Sequence, residues 1–190
     1  DDVLVLCEVL NTDMTPHESN TRVKAMEALE AYGDQEPWFG MEQEYTMLAP
    51  DTKWPYGFPP HGFPGPQGPY YCGVGAVKIA GRDLVEEHTT ACIEAGLAIS
   101  GTNAEVMPGQ WEFQIGPVDT LTVGDHMWVA RYLLYRVGEH HHVEISIEAK
   151  PMKGDWNGAG MHTNFSTKAM REGWDPIITA AESLGAPGKP

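Results

Sequence analysis

Two pairs of glutamates have the spacing to act together. Glu42 and Glu44 lie two residues apart in Trp38–Leu48, whose alternation reads as a β-strand. That alternation places Glu42, Glu44, Thr46 and Leu48 on one face and Met41, Gln43, Tyr45 and Met47 on the other. Glu105 and Glu112 belong to a second strand-like region, Asn103 to Gly116, broken by the turn dipeptide Pro108-Gly109. A two-residue loop there predicts a hairpin pairing 107 with 110, 106 with 111 and 105 with 112, although Pro at the first loop position suits type I or II turns rather than primed ones. Directly opposed residues have Cβ atoms about 4.5–5.5 Å apart, where like charges destabilise the sheet. At roughly 4 Å and an effective dielectric near 20 the repulsion is on the order of 4 kcal/mol. A shared proton, a basic partner or a bound cation would relieve it. No Lys or Arg occurs between Arg82 and Arg131, so a local ion pair is unavailable, a distant Arg staying open, and with Glu42 and Glu44 added as a second same-face pair a cation becomes the stronger candidate. Hard carboxylate oxygens select Mg²⁺ or Mn²⁺. The competing reading of each Glu-x-Glu pattern is an acidic strand face exposed to solvent.

A third segment, Gly154 to Ser166, combines a flexible backbone with a row of polar side chains around Asn157, Gly158 and His162. Glycine-rich turns let backbone N–H groups approach carboxylates or phosphates closely. No Gly-Lys-Ser/Thr follows, so it is not a Walker loop, and it is no dinucleotide fingerprint either. His162 adds an imidazole to the candidate ligands, the plain alternative being a structural histidine. The run His140-His141-His142 reads as a solvated turn between a helix and a strand and is left out of the site.

The elements that must position these residues follow from periodicity. Residues 3–7 form a short apolar run with strand character. Asn20 or Thr21 caps a first amphipathic helix carrying Val23, Met26, Leu29 and Tyr32, with Gly33 as its stop. Asp83 caps a second helix carrying Leu84, Val85, His88, Ala91, Cys92 and Ala95, and Asp125 caps a third carrying Met127, Trp128, Arg131, Leu134 and Val137. Asp175-Pro176 opens a fourth, closed by Gly185, and Val143 to Ile147 alternates like a strand. Residues 50–69 hold seven of the 15 prolines and four glycines, which excludes regular structure. Because the grouped acidic residues flank this stretch on both sides, it reads as a functional loop rather than a linker. The order of elements predicts an α+β fold.

Composition sets outer limits. A hydrophobic content of 42% with 21% charged residues is globular, and no apolar run reaches the roughly 20 residues of a membrane helix. A formal net charge of -15 disfavours nucleic acid and favours cations, only weakly, since acidic surfaces are common. Cys7, Cys72 and Cys92 are few and scattered, which suits a reducing compartment. No targeting signal is visible, and the missing initiator Met points to a piece of a longer chain.

Together these segments resemble glutamine synthetase of the eukaryotic type (type II). The resemblance rests on Trp38-Phe39-Gly40-Met41-Glu42-Gln43-Glu44-Tyr45, Gly65 to Cys72, Asn103 to Pro117 and Gly154 to Arg171, and it extends over nearly all 190 residues. It implies a catalytic-domain fold with a mainly antiparallel, curved sheet and helices packed behind it. It implies two metal positions, one held by Glu44, Glu105 and Glu112 beside the glutamate substrate, the other by Glu42 and His162 where the ATP phosphates are oriented. Trp156, Asn157 and Gly158 match its glutamate-contacting pattern. Its nucleotide-contacting stretches correspond to Glu42, to Glu112, Phe113, Gln114, Ile115, Gly116 and Pro117, and to Asn164, Phe165 and Ser166. The implied reaction phosphorylates the γ-carboxylate of L-glutamate with ATP, and ammonia then displaces phosphate to give L-glutamine. The implied parent is a cytoplasmic or plastid homo-oligomer with no nucleic-acid or membrane partner. Residues 1–190 would form an internal part of the catalytic domain, lacking the amino-terminal β-grasp domain and the carboxy-terminal part, so no complete catalytic set lies in this chain. Two other readings stay open: a related phosphotransferase acting on another amine or guanidino substrate, and a non-catalytic relative. The intact Asn157-Gly158 turn weighs against the first and the five retained ligands against the second.

Overall fold

Eleven residues of β1 (Trp38–Leu48) form the spine of a five-stranded antiparallel sheet. The computed structural model describes residues 3–65 and 68–186; Pro66 and Gln67 of the Gly65 to Cys72 stretch and both extreme termini lie outside the described residues. One edge of β1 pairs with β3 (Gln110–Val118), which pairs in turn with β2 (Ile99–Ala104). The other edge is shared by β5 (Met161–Ser166), along residues 38–43, and by β4 (Glu144–Ser146), along 46–48.

Strand alternation gives this sheet one apolar and one polar face. Tyr45, Met47, Trp111, Phe113 and Ile115 turn to the apolar face and are 0–2% exposed. Helices α2 (Arg82–Glu94) and α3 (Thr120–His140) cover them, contributing Leu84, Val85 and Cys92 from one and Val123, Met127, Ala130, Leu134 and Val137 from the other. Burial of such side chains contributes about 1.5–3 kcal/mol each, which fixes the register of β1, because a slip of one residue would turn the whole set outward. His88 is fully buried between the helices and its Nε2–H donates to the Ala130 carbonyl at 2.9 Å, tying α2 to α3. The expected α+β architecture, an antiparallel sheet with helices behind it, is the one observed.

Several local expectations need correction. Residues 3–7 form no strand: Val3 and Val5 are 82% and 75% exposed, and no described segment lies alongside to complete a ladder. Helix α1 (Arg22–Tyr32) exists but buries none of its apolar stripe; Arg22 anchors it, pairing with Asp125 of α3 through Nε–H at 2.8 Å and a second guanidinium nitrogen at 2.9 Å. Asp125 is therefore no cap. Helix α3 starts earlier, where the Asp119 carboxylate accepts from the N–H groups of Leu121 and Thr122. Asp83 lies in the first turn of α2, behind an N-cap of Gly81. The carboxy-terminal pair, α4 (Lys168–Glu172) and α5 (Asp175–Leu184), has Pro near the start of α5 and Gly185 at its end, as the sequence implies.

The proline-rich loop packs onto the domain. Tyr56 N–H donates to the Met47 carbonyl and Ala49 N–H to the Trp54 carbonyl, both at 2.9 Å. Trp54, Phe58 and Phe63 cluster with Trp156, whose ring lies 4.9 Å from that of Phe58. The loop thus bridges β1 and the glycine turn, which favours the functional-loop reading over a linker.

Candidate active site

The polar face of the sheet collects the acidic residues. Glu44 of β1 stands directly opposite Glu112 of β3, and Glu42 directly opposite both Gln114 of β3 and His162 of β5. Carboxylate oxygens of Glu44, Glu105 and Glu112 all lie within 4.8 Å of one another.

The hairpin reaches this arrangement in a register different from the expected one. Ala104 pairs with Trp111 and Asn103 with Glu112, while Glu105 N–H donates to the Gln110 carbonyl at 2.9 Å. A turn closes over Met107–Gln110, whose ends share a 2.9 Å hydrogen bond, with Gly109 at φ +78°. Pro followed by a positive-φ Gly fits a type II turn, which splays the strands so that the ladder resumes two residues further on. A shift of two keeps every side chain on its face. Glu105 therefore stays with the acidic set, diagonal to Glu112. The directly opposed like charges are Glu44 and Glu112, a pairing between segments that sequence reading had no means to match.

Each carboxylate is held by neutral donors. Glu44 Oε2 accepts from Gly160 N–H at 3.0 Å and from Gln110 Nε2 at 3.3 Å. Glu105 accepts from Asn103 Nδ2 at 3.1 Å and Val106 N–H at 3.2 Å. Glu112 accepts from Gln114 Nε2, which also donates to Asn103 Oδ1 at 2.7 Å. No ion pair among the described residues includes Glu42, Glu44, Glu105 or Glu112. Arg131, the next basic residue along the chain, turns to the other face, where its Nε–H donates to Gln43 Oε1 at 2.9 Å.

Without a counter-charge, Glu105 and Glu112 resist ionisation. Burial pushes the Glu105 carboxyl above its ordinary value, and the charges of Glu44 and Glu112 push it further. Glu112, only 7% exposed, is raised by burial first and then by Glu42 and Glu44, partly offset by its bond from Gln114. Three converging carboxylates with unmet negative charge fit a hard divalent cation such as Mg²⁺ or Mn²⁺. Glu42 and His162 offer a carboxylate and an exposed imidazole side by side, with Glu42 also accepting from Asn164 Nδ2.

Beside this second pair opens a cleft of about 370 Å³. Glu42, Gln114, Ile115, Gly116, Pro117, Asn164, Phe165 and Ser166 line it, with Trp38, Phe39 and Ser100. Its aromatic wall is the Phe39–Phe165 pair, rings 5.1 Å apart across β1 and β5. Gly116 is required here: its φ is +109° and a Cβ would sit 2.4 Å from the Phe39 carbonyl oxygen. Phe113 departs from the expectation for the nucleotide stretch. Alternation turns its ring to the helix side, where it is fully buried against Tyr45 and His88. Glu112 faces the carboxylates and not the cleft.

The glycine turn lies at the opposite end of the acidic row. Trp156 belongs to the aromatic cluster under the proline-rich loop, and Lys150 Nζ donates to the Gly154 carbonyl at 3.1 Å. Gly158 is joined to the acidic face by Gln110, 1% exposed, whose Nε2 donates to the Gly158 carbonyl at 2.9 Å as well as to Glu44. Asn157 sits between these two anchored residues. Sequence reading missed Gln110, although its parity with Glu112 already placed it on the polar face. It also missed β5, because the glycines before it masked the strand, and with β5 the roles of Phe39 and Trp38 in the cleft.

The sequence is similar to those of known proteins. The model of the glutamine synthetase catalytic domain matches residues 19–182. A glutamine synthetase of Streptomyces viridochromogenes is 65% identical over 190 residues, covering all of this chain and 55% of that protein. One from Streptomyces hygroscopicus is 62% identical over 191 residues, with 100% and 56% covered, and one from the fungus Agaricus bisporus is 58% identical over 186 residues, with 97% and 52% covered. The chain spans about half the length of these curated relatives. On the family model and on identities of this size over its whole length, the chain belongs to the glutamine synthetase family, matching its catalytic domain over residues 19–182.

Proposed function

We propose that this chain supplies the metal face and part of the nucleotide cleft of an enzyme that joins ammonia to L-glutamate, at the expense of ATP, to give L-glutamine through γ-glutamyl phosphate. The observation that carries this reading is the convergence of Glu44, Glu105 and Glu112 within 4.8 Å, in line with a cleft walled by Glu42, Gln114 and Phe165. Transfer of a phosphoryl group between two anions needs their repulsion cancelled, and divalent ions such as Mg²⁺ or Mn²⁺ supply that when bound. Glu44, Glu105 and Glu112 would hold one ion near the glutamate carboxylate, and Glu42 with His162 would hold a second near the ATP phosphates.

The chain's own groups do the positioning. Gln110 ties Glu44 to Gly158, so the residues proposed to meet glutamate, Trp156, Asn157 and Gly158, keep a fixed distance from the metal face. Phe39 and Phe165 offer an aromatic wall for the nucleotide, next to Gly116 and Pro117. As the glutamine synthetase family implies, the proposed enzyme is a homo-oligomer that takes L-glutamate, ammonia and ATP.

Glutamine formation in the protein extended at both ends to its relatives' length, with and without Glu105→Gln, tests this reading. Loss of one carboxylate ligand is expected to lower activity by about 100-fold or more, above the 10- to 100-fold cost of weaker outer contacts to a metal. Full activity in Glu105→Gln would overturn the assignment.

A further inference from the structure

Away from the acidic face, the far end of α3 meets α2 in a cluster that glutamine synthesis does not use. Glu87 of α2 receives two imidazoles at once: His140 Nδ1 lies 2.9 Å from its Oε1 and His141 Nε2 lies 2.7 Å from its Oε2. The two rings are 5.6 Å apart at an interplanar angle of 72°, and one ligand atom from each of the three residues lies within 4.8 Å of the others. The solvated turn expected for His140-His141-His142 is therefore only partly right. His142 leaves the helix at φ +53°, while the two preceding histidines converge on a carboxylate from another helix.

We propose that Glu87, His140 and His141 form a second, separate binding site for a divalent transition ion of the Zn²⁺ class. Two imidazoles and one carboxylate are the donor set that suits Zn²⁺, and three protein ligands leave a fourth, tetrahedral position for water. The same set is poorly matched to Mg²⁺, which prefers oxygen throughout. This distinguishes it from the carboxylate cluster of Glu44, Glu105 and Glu112. The three donors already converge through the hydrogen bonds to Glu87, so little side-chain rearrangement is needed. An ion would take the place of the two bridging protons, each imidazole carrying its proton on the other ring nitrogen. Because Glu87 and the histidines sit on different helices, the ion would clamp the end of α3 against α2. The ligands are on the surface, with the His140 side chain 76% and the His141 side chain 27% exposed, so an ion can enter from solvent.

The test is titration of the chain with Zn²⁺ by calorimetry in excess Mg²⁺, and with Co²⁺ by visible absorption. One Zn²⁺ per chain is expected, with a tetrahedral Co²⁺ spectrum, and His140→Ala with His141→Ala should weaken binding by at least about 10- to 100-fold. Glu87→Gln should weaken it comparably. Glu105→Gln and His142→Asn should leave it unchanged, the latter because asparagine tolerates positive φ. Circular dichroism of each variant confirms that the fold is retained. Zn²⁺ binding that survives loss of both histidines, that disappears in Glu105→Gln or His142→Asn, or that is absent from the unaltered chain would overturn the proposal.

Discussion

Glu112→Gln should change the stability of this chain in opposite directions with and without metal. Glu112 is 7% exposed, stands opposite Glu44, and has a carboxylate oxygen within 4.8 Å of those of Glu44 and Glu105. At that distance and an effective dielectric near 20, each pair of full charges repels by about 3.5 kcal/mol. Protonation limits the penalty: from an ordinary value of 4.5, taking up a proton at pH 7 costs about 3.4 kcal/mol, so no carboxylate here is strained beyond that. Gln keeps the acceptor for Gln114 and turns an amide donor toward the remaining carboxylates. In chelator the variant should gain about 2 kcal/mol after solvent screening, a rise in Tm of about 4–8 °C for a chain of this size. In Mg²⁺ at 100 times its dissociation constant, the unaltered protein gains about 2.7 kcal/mol and the variant much less, so the order inverts. Urea or thermal denaturation in the two buffers measures this. A variant no more stable than the parent in chelator, or an equal Mg²⁺ effect on both, would refute the reasoning.

The raised carboxyls of Glu105 and Glu112 also fix a sign for pH. Their folded values lie above the unfolded ones, so the folded chain binds more protons in between, and their contribution to stability falls as pH rises through that window. In chelator, the advantage of Glu112→Gln should therefore shrink as pH drops from 7 toward 4.5, and Mg²⁺ binding should weaken over the same range; a pH-independent difference would contradict this. Gly116→Ala puts a methyl 2.4 Å from the Phe39 carbonyl oxygen at a φ of +109°. It should cost about 2 kcal/mol or more in denaturation and weaken ATP binding, read by calorimetry on the extended protein; unchanged stability would argue against the close packing of β1 and β3 there.

Much of the site was legible because strand alternation is a local property. The spacing of Glu42 and Glu44 put both on one face whatever strand lay beside them, and the parity of Glu105 and Glu112 survived a wrong hairpin register because the error was two residues. The helices with buried stripes, α2 and α3, were found for the same reason, whereas their starts were misplaced because Asp83, Asp119 and Asp125 are equally good caps on paper and only the fold decides which one meets free N–H groups. Residues 3–7 and α1 show the limit of apolar pattern: it marks a face that can be buried, and a partner must exist to bury it.

Long-range pairing was decided by the tertiary structure alone. That Glu44 faces Glu112, that His162 faces Glu42, and that Gln110 reaches across to Gly158 depend on β1 lying between β3 and β5, and no sequence period encodes which strands become neighbours. The three histidines make the same point from the surface, where a run that reads as solvated becomes a convergent pair only because α2 brings Glu87 to it. The sequence by itself determined which side chains share a face, since that follows from backbone geometry over a few residues. The tertiary structure determined which faces meet, since that follows from burying the Tyr45, Trp111 and Phe113 face against α2 and α3 and leaving the acidic residues together on the opposite face.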